Sequence, residues 1–453
     1  MAMQSTQERG QWGSKFGFIM AAAGSAVGLG NIWRFPYLTG ENGGGAFVFV
    51  YLACVVLIGI PLLFNELALG RMTGRSPIGA FKVTKAKPFW FLAPILCIVL
   101  CFVVLSYYSV IAGWTIGYVG TTLAGTAVNF QTFIATPAFV IPLTAVFLLL
   151  TIGIILGGVS GGIEKASKIL MPLLLVIVLV MIVRSLMLPG AMEGVRYYLQ
   201  PDFSAITGSV VLAALGQAFF SMSVGWGLMI TYGSYLSKDT NMVEGGLWVA
   251  GMDTFIAFLA GLMIFPAVFA FAKEPTAGPT LVFQVLPEIF GVMPGGQLVG
   301  ALFFLLLMIA ALTSSISMLE VPVSYLIDEK RWNRKRAAWI VGTLAFVLAI
   351  PSALSHGANE TLSSVTILGK TGFLEILDYF FGTMGVVVIC LLLSLYVGWA
   401  LKPAGVADEL GQGAPFFKRP LIGTLSPATL WSFFIRFICP VTIALMLYFR
   451  VTE

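Results

Sequence analysis

The stretch GSAVGLGNIWRFP, residues 24–36, puts Gly24, Gly28 and Gly30 ahead of Asn31, Arg34 and Pro36 within a long apolar run. Glycines in such a run either weaken a helix or let a neighbouring helix approach closely. If the helix breaks, the carbonyls ending one half can coordinate a cation. The N–H groups opening the next half can receive a carboxylate. A second run, GQAFFSMSVGWG at 216–227, has the same character, with Gly225 and Gly227 following Gln217, Ser221 and Ser223. Broken backbone inside a membrane survives only where protein, water or ions supply its partners.

Other polar groups in apolar surroundings extend this chemistry. Asp253 lies within GGLWVAGMDTFIAFLAG. A charge there is expensive and marks an interior, functional position; it reads as a sodium ligand or as a neutral acid hydrogen-bonded in the bundle. In MIAALTSSISMLE, residues 308–320, Thr313 and Ser314 offer adjacent hydroxyls, with the Ala310 carbonyl a turn away. Hydroxyl and carbonyl oxygens suit a hard alkali cation, although Ser and Thr also bond back to their own helix. Tyr107 and Tyr108 sit in mid-span as candidate carboxylate donors or as packing and anchor residues, and Phe220 and Trp226 flank the second glycine-rich run. Arg34 with Asp378, and Arg9 with Asp328, are opposite charges near the expected outer and inner ends of spans. Gly162 and Pro172, in GIEKASKILMP, read as a helix start able to unwind or as an ordinary helix start.

The elements that must position these groups are long apolar runs. A spanning helix needs about 20 mostly apolar residues, and eleven runs qualify: 16–38, 45–70, 89–118, 136–157, 167–188, 206–236, 245–271, 296–325, 337–353, 373–399 and 427–449. They are too long and too uniformly apolar for the alternating strands of a membrane barrel. With the N-terminus inside, one side gathers Arg9, Lys15, Arg71, Arg75, Lys82, Lys85, Lys87, Lys165, Lys168, Lys238, the EKRWNRKR cluster, Lys402, Lys418 and Arg419. The other side holds Arg196, Lys273, Lys370 and Arg450. This asymmetry predicts a cytoplasmic N-terminus and an extracellular C-terminus.

Composition agrees with a membrane protein. Of 453 residues, 58% are hydrophobic and 10% charged, against about 25% charged in a soluble domain. The net charge of +5 lies in short joins, which argues against a nucleic-acid partner. His356 is the single histidine, and Cys54, Cys97, Cys101, Cys390 and Cys439 all fall in apolar runs without metal or disulfide spacing. No nucleophile–base arrangement suggests an enzyme. The N-terminus lacks a cleavable signal pattern. No segment reads as a separate soluble domain, so residues 1–453 are expected to form one transmembrane domain. The two interruptions fall in spans one and six, as expected if 16–188 and 206–399 are inverted five-helix repeats with 427–449 added.

The stretches GFIMAAAGSAVGLGNIWRFPY, ENGGGAFVFVYL, GIPLLFNELALGR, GQAFFSMSVGWG and LTSSIS together resemble the neurotransmitter:sodium symporter family over nearly the whole chain. The resemblance implies an all-α LeuT-like fold with helices 1 and 6 unwound at mid-membrane, and sodium-coupled import of hydrophobic and aromatic L-amino acids across the bacterial plasma membrane. It implies two Na+ sites and no organic cofactor. The first site would use the Ala26 carbonyl, Asn31, Ser221 and Asp253, completed by the substrate carboxylate. The second would use carbonyls of Gly24, Val27 and Ala310 with Thr313 and Ser314. Substrate would sit against Ala26, Leu29, Gly30, Tyr108, Phe220, Ser223 and Trp226, with Tyr108 rather than Tyr107 meeting the carboxylate. Arg34–Asp378 and Arg9–Asp328 would be the outer and inner gates. Tyr51, Gln217 and Ser221 match positions around the chloride that animal relatives need. Asp253, where Asn is common, would supply that charge itself and make transport chloride-independent. A proton-coupled carrier of small organic substrates, with Asp253 carrying the proton, and a ligand-gated channel are the competing readings. The expected partners are the amino acid and the lipid bilayer, with no nucleic acid and no obligatory protein partner.

Overall fold

The computed structural model describes residues 10–126, 128–275, 281–420, 423 and 425–452. The chain is a helical bundle whose longest elements carry the apolar runs of the sequence. The first run forms two helices, α1 (Lys15–Ala26) and α2 (Gly30–Glu41), bent by 52°. Then follow α3 (Gly45–Thr73), α4 (Pro88–Leu123), α5 (Pro137–Leu156) and α6 (Val159–Leu186). The run at 206–236 divides into α7 (Gly208–Ser221) and α8 (Leu228–Gly233). The remainder are α9 (Met242–Ala270), α10 (Gly296–Lys330), α11 (Arg334–Leu354), α12 (Phe373–Leu401) and α13 (Pro427–Thr452).

Among the described residues nine helices are long and apolar enough to cross a membrane, and α1 with α2 makes a tenth. At 1.5 Å per residue, α7 and α8 rise only about 21 and 9 Å, so neither crosses alone. Most helices exceed the expected apolar runs at their polar ends, as α10 does by continuing to Lys330. The helix ignores the edge of the apolar stretch because its own backbone bonds continue into water. Between α11 and α12 a small hairpin pairs β1 (Thr366–Ile367) with β2 (Lys370–Thr371).

The core is built on α10, which packs most extensively against α4. Every side chain from Ala310 to Ser324 on α10 is buried. Helices at the periphery instead present apolar side chains outward, as Leu149, Val176 and Val347 show, which is stable only in a lipid solvent. Four cysteines are buried, whereas Cys54 is partly exposed.

The start of α6 is wound. Residues 159–186 stay helical through Pro172, the first turn being a wide π turn at Val159–Glu164. Buried Glu164 holds this end wound. It accepts Gly13 N–H at 2.6 Å, Ser14 Oγ at 2.9 Å and Lys168 Nζ at 2.5 Å. Gly17 lies so close that an added Cβ would meet Oε1 at 2.0 Å. One carboxylate therefore ties the start of α1 to α6. Glu164→Gln removes the charge that strengthens these bonds, and backbone amide exchange across residues 13–17 should accelerate about tenfold in hydrogen–deuterium exchange.

Candidate functional site

Val27 ends α1 by leaving helical geometry, at φ −71° and ψ 99°. Its N–H still reaches Ala23 O at 2.7 Å. Asn31 then closes the gap, since Gly28 N–H donates to Asn31 Oδ1 at 3.1 Å and Asn31 N–H to Gly28 O at 3.1 Å. The second break, residues 222–227, turns through left-handed conformations at Ser223 (φ +53°), Gly225 (+80°) and Gly227 (+71°), two of the three being the residue that adopts them without strain. Gln217 Nε2 donates to Gly30 O at 2.8 Å and so joins the two breaks.

A first polar cluster forms where α2, α7, α9 and α3 meet. Asn31 Nδ2 donates to Asp253 Oδ1 at 2.7 Å, to Asp253 O at 3.1 Å and to Ser221 Oγ at 3.0 Å. Ser221 Oγ donates to Asp253 Oδ2 at 2.8 Å, and Tyr51 OH to Ser221 Oγ at 3.2 Å. Asn31, Ser221 and Asp253 are each 0% exposed. Burying a carboxylate at this depth requires strong partners, and this one has a hydroxyl and an amide. Ala26, also expected here, ends α1 and lines the adjacent cavity.

A second cluster joins α10 to the end of α1. Thr313 Oγ1 lies 3.0 Å from Ala310 O, 3.2 Å from Ile309 O and 3.5 Å from Val27 O. Ser314 Oγ donates across the interface to Ser25 O at 3.2 Å and lies 3.4 Å from Val27 O. Thr313 thus bonds mainly within its own helix, while Ser314 reaches the break. Gly24 faces the same place, where an added Cβ would lie 3.3 Å from Thr313 Cβ. The result is a nest of hydroxyl and carbonyl oxygens, the donor set of a hard monovalent cation. Among the described residues no group of three or more His, Cys, Asp or Glu side chains is gathered as a transition-metal site would need.

Between the clusters lies a cavity of about 20 Å³, room for about one water, lined by Ala26, Gly30, Tyr108, Phe220, Ser223 and Trp226 among others. Above it opens a vestibule of about 590 Å³ that reaches Leu29, Gly30, Tyr108 and Phe220. Phe220 stands between the two spaces. Leu29 N–H donates to Tyr108 OH at 3.2 Å, so these two groups are poised at one spot. Tyr107 OH instead donates to Asp378 Oδ1 at 2.9 Å. Arg34 and Asp378 line the same vestibule without an ion pair between them, and the Arg34 guanidinium lies 4.7 Å from the Phe220 ring centre. Arg9 lies outside the described residues. Asp328 is buried and accepts Ser76 N–H at 2.7 Å.

Three residues of this region carry no role in the sequence reading. Glu66 on α3, 2% exposed, accepts Gly225 N–H at 2.6 Å within the second break. Ser25 donates to Ser317 Oγ at 2.7 Å, and its carbonyl also accepts from Ser223 Oγ at 3.0 Å. A lone acid in an apolar run was the available signal for Glu66, the same signal that singled out Asp253. Ser25 had only its place between Gly24 and Ala26, and Ser317 only its position one turn beyond Ser314.

Comparison with known proteins agrees with this geometry. The sequence model of the Sodium:neurotransmitter symporter family matches residues 9–132 and 127–453. The uncharacterized sodium-dependent transporter YhdH of Bacillus subtilis is 38% identical over 451 residues, 98% of each chain. An uncharacterized sodium-dependent transporter of Haemophilus influenzae is 36% identical over 97% of each. The crystal structure of MhsT in complex with L-phenylalanine superposes with a TM-score of 0.87 at 42% identity, over 97% of this chain and 99% of that one.

Proposed function

From a chain that belongs to the Sodium:neurotransmitter symporter family, we infer a carrier that couples sodium entry to uptake of hydrophobic and aromatic L-amino acids by alternating access. It is a multi-pass membrane protein and not an enzyme. The observation that carries the reading is the convergence of both polar clusters on residues 24–31. Asn31 ties that break to Asp253 and Ser221, and Ser314 ties it to α10. The likeness to MhsT, solved with L-phenylalanine, supports the substrate class.

In this reading one sodium sits among Ala26 O, Asn31, Ser221 and Asp253, the Asn31 amide turning over to present its oxygen. A second sits among the Gly24, Val27 and Ala310 carbonyls, Thr313 and Ser314. The substrate carboxylate takes the Leu29 N–H and the Tyr108 hydroxyl, which now serve each other, and completes the first site. Ion and amino acid then raise each other's affinity by the same factor. The side chain enters between Phe220, Ser223 and Trp226, so the cavity must open for it. Asp253 balances the first ion's charge, which makes transport independent of chloride. Arg34 and Asp378 approach one another as the vestibule shuts, while Arg9 and Asp328 hold the inner side.

The chain crosses the membrane eleven times. The α7–α8 pair is the sixth span, broken at mid-membrane like the first. Residues 16–188 and 206–399 are inverted repeats, and 427–449 is an added helix. The basic joins lie in the cytoplasm and the C-terminus outside.

Purified protein in proteoliposomes tests this directly. An inward sodium gradient in chloride-free buffer should drive accumulation of phenylalanine and leucine, while a proton gradient without sodium should not. Uptake driven by protons alone would sink the reading. Ser314→Ala removes one hydroxyl ligand, worth about 1 kcal/mol, and should raise half-saturating sodium about fivefold at unchanged surface expression.

A further inference from the structure

Among the described residues three tryptophans are buried, Trp114, Trp226 and Trp431. Trp431 Nε1 donates to Pro61 O at 3.0 Å, and half-buried Trp12 Nε1 to Tyr232 O at 2.9 Å. Two buried indoles differ. Trp114 Nε1 and Trp226 Nε1 have no hydrogen-bond partner among the described residues. Trp114 lines the vestibule and Trp226 the small cavity below it. The two unserved donors therefore lie on the route proposed for substrate.

Trp226 is the one at the binding cavity. It is 3% exposed, and its backbone is fixed by the Cys101 thiol, which donates to Trp226 O at 3.3 Å. Its ring meets Phe220 edge to face at 5.8 Å, with Leu228 and Met318 on the same lining. The other polar side chains of the wall are engaged: the Ser223 and Ser314 hydroxyls donate to Ser25 O, the Ser25 hydroxyl to Ser317 Oγ, and Tyr108 OH accepts Leu29 N–H. The carboxylate-binding groups, Leu29 N–H and Tyr108 OH, are bonded to each other, which leaves Trp226 to face the substrate's side chain.

We propose that Trp226 Nε1 is a specificity-determining donor that reads one hydrogen-bond acceptor, an ether, thioether or hydroxyl, in an otherwise apolar amino-acid side chain. This rests on the amino-acid reading above. A purely hydrocarbon side chain keeps the N–H buried and unpaired; an acceptor at the right depth relieves it. Apolar pockets distinguish a methylene from its isostere weakly, whereas a buried donor rejects the analogue that leaves it unpaired.

The test uses matched pairs that exchange one CH₂ for oxygen. O-methyl-L-serine is compared with L-norvaline, and O-methyl-L-homoserine with L-norleucine, as competitors of sodium-driven leucine uptake. In the wild type at least one ether should compete about threefold better than its hydrocarbon partner. In Trp226→Phe, which keeps an aromatic ring and removes the N–H, that ratio should move about fivefold toward the hydrocarbon. Hydrocarbons competing better at both positions in the wild type overturn the proposal without any variant. Equal ratios in the wild type and Trp226→Phe overturn it too. Absence of sodium-driven leucine uptake in the wild type overturns the amino-acid reading and this proposal together.

Discussion

Asp253→Asn should cut sodium-driven uptake in chloride-free buffer to about one-hundredth of wild type, with partial recovery when chloride is added. The carboxylate has no solvent exposure, and both its oxygens are engaged, Oδ1 by Asn31 and Oδ2 by Ser221. A sodium ion held beside it, as proposed, would form a neutral pair, and the zwitterion would add no net charge. Asparagine leaves the bound cation uncompensated in a dry interior, which costs about 3–5 kcal/mol, or roughly 100- to 1,000-fold in an equilibrium. Tyr51 and Ser221, already hydrogen-bonded to each other beside Asp253, are the donors to which chloride would bind in its place. Initial uptake rates with chloride or gluconate as counterion decide the matter. Normal chloride-independent uptake by the variant would remove Asp253 from charge compensation.

Gly28→Ala should lower uptake at least tenfold while leaving the protein folded and at the membrane. An alanine Cβ would lie 2.5 Å from Ser314 Oγ and 3.0 Å from Tyr108 OH. The glycine is required by space, since its φ is not in the left-handed region. Two hydroxyls from different helices would have to move, one a proposed sodium ligand and the other the proposed carboxylate donor. Such overpacking costs about 1–3 kcal/mol; here it displaces ligands as well. Gly153→Ala is the control, because nothing lies within 4 Å of its Cβ position. Uptake by that variant should match the wild type, and equal losses in both variants would mean that the effect is general destabilisation.

The chemistry of the site was legible because charge and glycine are rare in a membrane interior. Asn31, Asp253, Thr313 and Ser314 each interrupt apolar sequence, and the structure gathers them around the first break. What could not be read was distance. Arg34 and Asp378 have opposite charge and comparable depth, yet Asp378 bonds to Tyr107 and Arg34 lies over Phe220. The length of the apolar runs located the long helices, and Gly225 and Gly227 marked where the run at 206–236 divides into α7 and α8. Around Pro172 the helix is continuous, and the groups that steady its start, Gly13 and Ser14, come from far away in the chain. Glu66 carried the same signal as Asp253, an acid in an apolar run, but nothing in the sequence pointed to its partner. In the structure it serves the Gly225 N–H within the second break, more than a hundred residues away.

The carboxylate of Glu164 has one more implication. Gly13, Ser14 and Lys168 all converge on it, so the segment leading into α1 cannot peel off piecemeal without stranding a buried anion. Detachment of that segment and loosening of α6 become a single concerted event. In the topology proposed above this end faces the cytosol, and the tie would hold an unladen carrier shut on that side, limiting futile leakage of sodium between productive turnovers.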